Sequence, residues 1–272
     1  MPYSLTEVLT VAERLWPVAG AEGWDAPGLV AGSPRQGVTS IHLVVDAVAD
    51  SLDEAIEAGA DLVIAHHPLL LFGVKSVAET HYKGALLAKL IRSGTALLSA
   101  HTNADVVAEG TSAVLARKLE LTGLRPITAS AEPGTGIGRV GELSEATTLG
   151  RLARTVAAVL PPTAGGVRVA GSYEQPVRTV AVCGGAGDSL LREPEVLAAD
   201  VYITADLRHH PASEAREQHL LGAGPALIDV SHWASEWLWL ETAATQLREA
   251  LPAASVTVSE TRTDPWDFAV VQ

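Results

Sequence analysis

Cysteine is nearly absent from this sequence of 272 residues, which contains only Cys183. A single cysteine cannot form an internal disulfide, and this fits a reducing compartment. It also excludes zinc sites that are built from several cysteines. Any metal ion that this chain binds must therefore be held by histidine and carboxylate side chains.

Long apolar runs are also missing. Stretches such as 61–65 have the length of a strand, far below the roughly 20 residues that a membrane-spanning helix needs. The first residues lack the basic and apolar regions of a secretion signal. Instead, Ser4 and Glu7 have the spacing of a capping box and predict a helix start. We therefore expect a cytoplasmic protein without a membrane segment.

Positive charge is scarce as well. The chain has 19 Lys and Arg residues against 32 Asp and Glu residues, which gives a formal net charge of −13. Non-specific binding to a phosphate backbone depends on clustered Lys and Arg, so nucleic acid is not an expected partner. Apolar residues, by contrast, make up 47% of the chain, which is enough to bury a sizeable core.

Short runs rich in Val and Ile alternate with helical patterns along most of the chain. This alternation predicts an α/β fold with mostly parallel sheets. We expect a first α/β lobe at 1–125, a connecting segment rich in Gly, Pro and Thr at 126–176, and a second α/β lobe at 177–272. The predicted helices are 4–15, 52–59, 83–92, 109–120, 148–160, 188–198, 212–220 and 234–249, and the predicted strands are 38–45, 61–65, 95–100, 177–183, 201–204, 226–230 and 255–260.

Two groups of short motifs follow each other in the same order in the two lobes. Asp50-Ser-Leu52, Ala60-Asp-Leu-Val-Ile64 and His66-His-Pro68 in the first lobe correspond to Asp188-Ser-Leu190, Ala199-Asp-Val-Tyr-Ile203 and His209-His-Pro211 in the second. The order indicates two similar lobes that arose by duplication. Chance matches between short words in an alanine-rich chain are the alternative.

Candidate metal ligands follow three predicted strands. The carboxyl ends of strands in open α/β sheets form binding crevices, so these side chains are expected to converge. Taken separately, they also fit turn histidines, helix caps and helix-start carboxylates. Together they supply a set that suits two divalent ions and does not distinguish Zn, Mn, Fe or Ni. The five predicted ligands are His66, His67, Asp105, His232 and Glu236.

Two adjacent ions would activate a shared water for hydrolysis. His101, Asp206 and His209 are predicted to act beside the ligands, either by orienting them or by carrying protons, and His210 is a weaker candidate. The alternative for each is an ordinary histidine or aspartate with satisfied hydrogen bonds. Glycines 184, 185 and 187 form either a phosphate-binding loop or, more simply, a tight turn.

Several tryptophans are expected to have structural roles. Trp233, Trp237 and Trp239 are predicted to fill a core or a subunit contact. Trp266 and Phe268 are predicted to anchor the C-terminal tail on the body of the protein.

Seven motifs spread over nearly the whole chain resemble those of the Nif-three-like dinuclear metal centre family, whose members are often named GTP cyclohydrolase I type 2 homologues. They are Trp24-Asp-Ala-Pro-Gly-Leu29, Ile64-Ala-His-His-Pro-Leu69, Ser99-Ala-His-Thr-Asn-Ala-Asp105, Gly136-Ile-Gly-Arg-Val-Gly-Glu-Leu143, Val180-Ala-Val-Cys-Gly-Gly-Ala-Gly187, Ile203-Thr-Ala-Asp206 and Asp229-Val-Ser-His-Trp-Ala-Ser-Glu236.

The resemblance implies the same five ligands for two divalent metal ions per chain. It further implies two similar α/β lobes with the metal site in the cleft between them, a toroidal homohexamer, and the short form of the family, without the domain that longer members insert. The sequence departs from the family at Ala26, where Asn is usual, and at Ala205, where Gly is common in the Thr204-Ala-Asp206 motif.

We therefore expect a di-metal hydrolase that acts on a small nucleotide-like or phosphate-bearing substrate. The cyclohydrolase reaction follows from the family label alone, because no pattern in the sequence specifies a guanine pocket. The alternative is a non-catalytic hexameric scaffold that binds metal or other proteins.

Overall fold

The computed structural model describes residues 2–270. The first elements are β1 (Tyr3–Ser4), α1 (Leu5–Leu15), β2 (Gly28–Ala31), β3 (Gly37–Val38), β4 (Ser40–Val44), α2 (Ala49–Glu57), β5 (Leu62–Ala65), α3 (Tyr82–Ser93), β6 (Ala96–Ser99), α4 (Thr102–Asp105) and α5 (Thr111–Lys118). The chain continues with β7 (Thr122–Arg125), β8 (Thr128–Ala129), β9 (Gly136–Ile137), β10 (Arg139–Thr148), α6 (Leu149–Val159), β11 (Arg168–Ala170), β12 (Pro176–Ala186), α7 (Pro194–Leu197), β13 (Val201–Ala205), α8 (His209–Leu220), β14 (Ala226–Val230), α9 (His232–Ala250) and β15 (Ser255–Val258).

Two compact units make up this α/β fold, and their boundaries differ from the predicted lobes. Unit 1 contains the residues up to Ala104 together with Leu240–Thr263, and unit 2 contains Asp105–Trp239 and the residues from Asp264 onward. The C-terminal strand β15 belongs to unit 1 because it pairs in parallel with β4. The predicted connecting segment 126–176 belongs to unit 2, because it supplies strands to the sheet of that unit.

Unit 1 is built on a five-stranded sheet with the order β15-β4-β5-β6-β2. All neighbours are parallel except β2, which runs antiparallel to β6. Every residue of β5 and β6 is buried, as expected for central parallel strands covered on both faces. The core on one face joins these strands to α2 and α3 through residues such as Leu52, Val63 and Leu90. The predicted capping box of Ser4 and Glu7 is confirmed at the start of α1.

Unit 2 has a six-stranded sheet with the order β11-β14-β13-β12-β10-β7. Only β12, β13 and β14 are parallel to one another, and the remaining pairs are antiparallel. The predicted α/β fold with parallel strands is confirmed, but the sheet of this unit is mixed. Its antiparallel pairs come from β10, which pairs with both β12 and β7, and from β11, which pairs with β14; neither was predicted as a strand.

An equivalent aspartate at the start of the second parallel strand supports the internal repeat. Asp61 Oδ2 accepts hydrogen bonds from the backbone N–H groups of Thr39 and Ser40, at 2.7 and 3.1 Å. In unit 2, Asp200 Oδ2 accepts from the backbone N–H groups of Arg178 and Thr179, both at 2.8 Å. In each unit this carboxylate fixes the start of one strand against its parallel neighbour.

The repeat does not extend to the two His-His-Pro motifs. His66 follows directly after β5, whereas Asp206 is the residue that follows β13. His209 and His210 come later and begin α8. The two motifs therefore match in sequence order but not in their position relative to the strand.

The tryptophans divide into two groups. Trp233 and Trp239 are buried, as predicted for core residues, whereas Trp266 and Phe268 are 67% and 80% exposed. The prediction that the tail anchors itself through these two residues is therefore wrong. Among residues 2–270, no helix combines the length and the apolar composition that crossing a membrane requires.

Candidate metal centre

The first group of candidate ligands lies at the carboxyl ends of β5 and β6, within unit 1. His66 and His67 follow β5, and their backbone N–H groups donate to the carbonyls of Val44 and Val45 at 3.0 and 2.8 Å. These two bonds fasten both histidines to the end of β4 and the residue after it, and the two ring centroids lie 5.1 Å apart. His66 is fully buried.

A third imidazole joins this pair. The ring centroid of His101 lies 5.3 Å from that of His66 and 5.4 Å from that of His67. Each of the three histidines offers one ring nitrogen, and these atoms all lie within 4.8 Å of one another. His101 was predicted to have a catalytic role and not to be a ligand, yet its ring nitrogen belongs to the same cluster as those of the two predicted ligands.

Each of these histidines has an oxygen acceptor at Nδ1. The Nδ1 atom of His66 lies 2.9 Å from the carbonyl oxygen of Ala100. The Nδ1 atoms of His67 and His101 lie 2.7 Å from the carboxylates of Asp46 and Asp25. Because a carbonyl or carboxylate oxygen only accepts, Nδ1 carries the hydrogen, and Nε2 carries the lone pair that can bind a cation.

Asp25 is an ionised carboxylate in spite of its burial. Burial raises its pKa, but the hydrogen bonds that it accepts from Thr102 and His101 outweigh this effect and leave the pKa below its ordinary value. The Thr102 backbone N–H and hydroxyl donate to Oδ2 at 3.0 and 2.5 Å. Asp25 is therefore held in place by the start of α4 and in turn orients the imidazole of His101.

Asp25 and Asp46 were not among the predicted functional residues. Asp46 lies two residues beyond the end of β4, and its position just after a strand was the available signal. Asp25 lies within one of the family motifs, but the sequence does not link it to a histidine that is 76 positions away.

The second group of candidate ligands lies at the start of α9, within unit 2. His232 is the first residue of this helix, and its Nε2 atom lies 3.1 Å from Glu236 Oε1, one helical turn later. Its Nδ1 atom lies 2.7 Å from Asp206 Oδ2. Asp206 therefore orients His232 as Asp25 orients His101.

The electrostatic environment of His232 favours a cation. Burial lowers the pKa of His232, but the charge of Glu236 and the hydrogen bonds with Asp206 and Glu236 raise it to about 11. Two carboxylates thus concentrate negative potential at one imidazole that is partly buried. A proton on the ring meets this demand, and a divalent cation would have to displace that proton from Nε2 in order to bind there.

The glycine-rich end of β12 is explained by its contact with this pair. A Cβ atom on Gly185 would lie 2.2 Å from Glu236 Oε1, and the residue has a φ angle of +70°. The backbone N–H groups of Gly184 and Gly185 donate to Ser112 and Ser235 at 3.1 and 2.9 Å. The end of β12 therefore makes room for Glu236, and its N–H groups are engaged by serines. Gly184 and Gly185 belong to a strand and not to the predicted turn or phosphate-binding loop.

Asp105 is the last residue of α4, and α5 begins at Thr111 rather than at the predicted position 109. The Thr111 hydroxyl donates to Asp105 Oδ1. Asp105 also raises the pKa of the nearby buried Cys183, where the larger cause is burial itself.

His209 lies apart from His232 on α8. It is exposed, and its ring centroid lies 5.3 Å from that of His210. It lines a surface groove together with Arg168 and Arg216. Of the three predicted catalytic residues, His101 and Asp206 thus contact or adjoin candidate ligands, while His209 contacts its neighbour in the same helix.

The sequence matches a family model across nearly its full length. The model described as Duf34/NIF3 (NGG1p interacting factor 3) covers residues 3–265. This chain belongs to the Duf34/NIF3 family. The resemblance inferred from the seven motifs is therefore confirmed.

Relatives of this Duf34/NIF3 member carry the name "GTP cyclohydrolase 1 type 2 homolog". The one from Streptomyces coelicolor is 46% identical over 96% of this chain and 93% of its own length. The one from Mycobacterium tuberculosis H37Rv is 34% identical over 98% of both chains, and its alignment spans 378 positions. That span exceeds the 272 residues of this chain, so the mycobacterial relative contains residues that this short form lacks.

Solved structures share the fold. A Bacillus cereus protein related to NIF3 aligns with a TM-score of 0.90 at 23% identity, over 99% of this chain and all of its own. The Staphylococcus aureus protein SA1388 aligns with a TM-score of 0.88 at 26% identity and the same coverage. The Duf34/NIF3 fold is therefore retained at low sequence identity.

Proposed function

We propose that this protein is a metal-dependent hydrolase that binds two divalent cations and acts on a small nucleotide-like or phosphate-bearing substrate. The proposed ligands are His66 and His67 from unit 1 and Asp105, His232 and Glu236 from unit 2. His101 is a further candidate ligand, because its ring nitrogen belongs to the same cluster as those of His66 and His67.

The observation that carries the proposal is the shared orientation of four imidazoles. His66, His67, His101 and His232 each have an oxygen acceptor at Nδ1, at distances of 2.7 to 2.9 Å. Histidines that bind metal typically donate their second ring N–H to a carboxylate or carbonyl, which fixes the tautomer and makes the ligand more basic. Four histidines with this arrangement are hard to explain as ordinary core or surface residues.

The donor set also fits the proposed ions. Imidazole nitrogens and carboxylate oxygens suit divalent Zn, Mn, Fe and Ni, and carboxylates can bridge two ions. Bound ions of this kind lower the pKa of a water molecule toward neutrality and orient it for attack. The protein itself contributes the orientation: Asp25, Asp46 and Asp206 hold the rings of His101, His67 and His232.

His101 is proposed to serve the reaction in one of two ways. It either binds a cation directly or carries a proton between water and substrate, since an imidazole titrates near neutral pH. The metal content of His101→Ala separates the two roles: a loss of metal indicates a ligand, whereas full metal content with lost turnover indicates proton transfer.

The substrate class is supported by the relatives. Those from Streptomyces coelicolor and Mycobacterium tuberculosis are named for their similarity to an enzyme that acts on GTP. We also propose that the chain works in the cytoplasm as a homohexamer, as the family resemblance implies. Light scattering coupled to gel filtration tests the subunit count.

The decisive experiment combines elemental analysis with a substrate panel. We expect about two ions per chain in the purified protein, and turnover of a phosphoester, a nucleotide or GTP with Mn²⁺, Zn²⁺ or Fe²⁺. His66→Ala should lose metal and turnover together, while the exposed control His210→Ala should keep both. Full metal occupancy without turnover of any substrate would refute the hydrolase and favour a scaffold; metal-free protein with full activity would refute the metal centre.

A further inference from the structure

A cavity in unit 1 is lined by none of the predicted site residues. It lies between the loop after β5 and the start of α3, has a volume of about 480 Å³, and is lined by Val74, Lys75, Ser76, Thr80, His81, Tyr82 and Lys83. Its volume falls within the roughly 300–1,000 Å³ of cavities that hold small molecules. Six of its seven lining residues carry a polar group, and all but Lys83 are exposed, so the cavity is open to solvent.

The lining is cationic on a strongly acidic protein. Lysine occurs only at positions 75, 83, 89 and 118, while the chain as a whole has a net charge of −13. Two of these lysines line the cavity, and none of its seven lining residues is acidic. Lys89, on the same helix as Lys83, instead pairs with Asp53.

The acidic residue nearest in sequence is engaged elsewhere. Glu79 is the only acidic residue between His66 and Arg92. Its two carboxylate oxygens accept from the guanidinium of Arg92 at 2.6 Å each. Within residues 2–270, no ion pair joins Lys75 or Lys83 to a carboxylate. Both ammonium groups therefore remain available for an external anion.

The cavity is held in shape by the loop's packing on α3. A Cβ atom on Gly84 would lie 2.3 Å from the carbonyl oxygen of Ala78 and 2.6 Å from the Val77 backbone. The absence of a side chain at position 84 thus allows the loop to lie directly on the helix. The Ser76 hydroxyl accepts from the backbone N–H of Ala78 at 3.2 Å. A preformed cavity of this kind does not need to be ordered by its ligand.

We propose that this cavity binds a phosphate-bearing small molecule. Lys75 and Lys83 supply two positive charges, and Ser76, Thr80 and Tyr82 supply hydroxyl groups that can donate to phosphate oxygens. A phosphate group, with up to two negative charges and several acceptor oxygens, matches this combination better than a single carboxylate does. The exposed ring of Tyr82, with the Lys83 ammonium 5.9 Å from its centroid, offers a surface for a planar organic group.

This site does not depend on the proposed metal ligands, and the experiment keeps the two apart. Pyrophosphate, GMP and guanosine are titrated by calorimetry into the full-length protein, both as purified and after treatment with a chelator. We expect saturable binding of pyrophosphate and GMP, but not of guanosine, in both preparations. Binding that disappears with the chelator would assign the phosphate to the metal ions and overturn the proposal, as would the absence of saturable binding.

Substitutions locate the site. Lys75→Gln with Lys83→Gln should weaken pyrophosphate binding by at least about tenfold, the loss expected when charge-assisted hydrogen bonds are removed. The control Lys118→Gln removes an exposed lysine outside the cavity and should bind like the original protein. Equal affinity in the double variant and the control would overturn the proposal.

A labelling experiment gives the same answer without substitution. Pyrophosphate should protect Lys75 and Lys83 from acetylation by an amine-reactive ester, as read by mass spectrometry, and leave the labelling of Lys118 unchanged. Equal labelling of Lys75 and Lys83 with and without pyrophosphate would contradict binding in this cavity. Binding of the protein to anionic lipid vesicles is measured as well. Binding to vesicles without any binding of pyrophosphate or GMP would exclude a small-molecule ligand.

Discussion

The Nδ1 atom of His101 lies 2.7 Å from Oδ1 of Asp25, which is 76 positions earlier in the chain. The same relationship joins His232 to Asp206 in unit 2, also at 2.7 Å. In both units the histidine is the second residue after the third parallel strand, β6 or β14. In each unit, an equivalent histidine therefore pairs with an aspartate from a different part of the same unit.

Asp25→Asn tests the role of the first of these pairs. The amide keeps the size of the carboxylate and one oxygen acceptor for His101, but it removes the negative charge that makes the imidazole a more basic ligand. We expect the affinity for divalent metal to fall by about 10–100-fold, as for other residues that orient metal ligands. Competition with a fluorescent chelator measures this affinity. Asp267→Asn, in the exposed tail, is the matched control, and an equal effect in both variants would contradict the assignment.

Asp206 allows a sharper comparison, because its backbone lies in the left-handed region with a φ angle of 56°. Asp206→Gly removes the acceptor of His232 but suits this backbone conformation, which costs a residue with a side chain about 1 kcal/mol. We expect little change in melting temperature and about a 10–100-fold loss of metal affinity.

Asp206→Asn serves as the control for that loss. It keeps an oxygen acceptor and a residue type that tolerates left-handed geometry, so its metal affinity should lie between those of the original protein and Asp206→Gly. A large fall in melting temperature together with unchanged metal affinity in Asp206→Gly would assign Asp206 a purely structural role.

Asp61 predicts how stability depends on pH. Burial raises the pKa of Asp61, but hydrogen bonds from Thr39 and Ser40 outweigh it, so the folded-state pKa lies below the ordinary value of 3.8. The stabilisation by the charged carboxylate is therefore complete above pH 3.8 and is lost as the pH falls through the lower folded-state value. At pH 7, Asp61→Asn should reduce the free energy of unfolding by about 1–3 kcal/mol.

Urea unfolding between pH 7 and pH 3 measures this difference. The gap between the original protein and Asp61→Asn should shrink below pH 3.8, while Asp50→Asn serves as an exposed control on α2. A gap that stays constant down to pH 3 would show that the charge of Asp61 contributes nothing to stability.

Cys183 should be unreactive in the folded protein. Its thiol is buried, and burial, with a smaller contribution from the charge of Asp105, raises its pKa from 9.0 to about 12. Because the thiolate is the reactive form, a disulfide reagent such as DTNB should modify the native protein very slowly at pH 8 and rapidly after unfolding in urea. Cys183→Ala gives the background signal. Rapid modification of the native protein would show that this part of unit 2 opens readily.

Much of the parallel core was predictable because its signal is local. The predicted strand 226–230 coincides with β14, and the predicted strand 61–65 differs from β5 by one residue. Both are short apolar runs between polar residues. The strand β10, with the sequence RVGELSEATT, was missed because its alternating polar residues and neighbouring glycines resemble a loop.

Pairing between distant segments was not predictable from such patterns. The strand β15 joins β4 through contacts such as His42 Nδ1 with Thr257 Oγ1, at 2.8 Å and 215 positions apart. No local feature distinguishes this partner from the nearer strands of unit 2. The same reason explains the site: histidines at strand ends were recognisable, whereas their acceptors Asp25 and Asp46 are fixed only by the tertiary fold.

Gly185 gives a simple criterion for comparing this protein with its relatives. Since any side chain at this position would overlap the carboxylate of Glu236, a homologue with a larger residue there must either shift the end of β12 or give up that oxygen. A glycine at position 185 therefore marks relatives that can keep the Glu236 carboxylate in this position. A larger residue marks relatives that keep only the fold, and this distinction can be made without comparing the histidines.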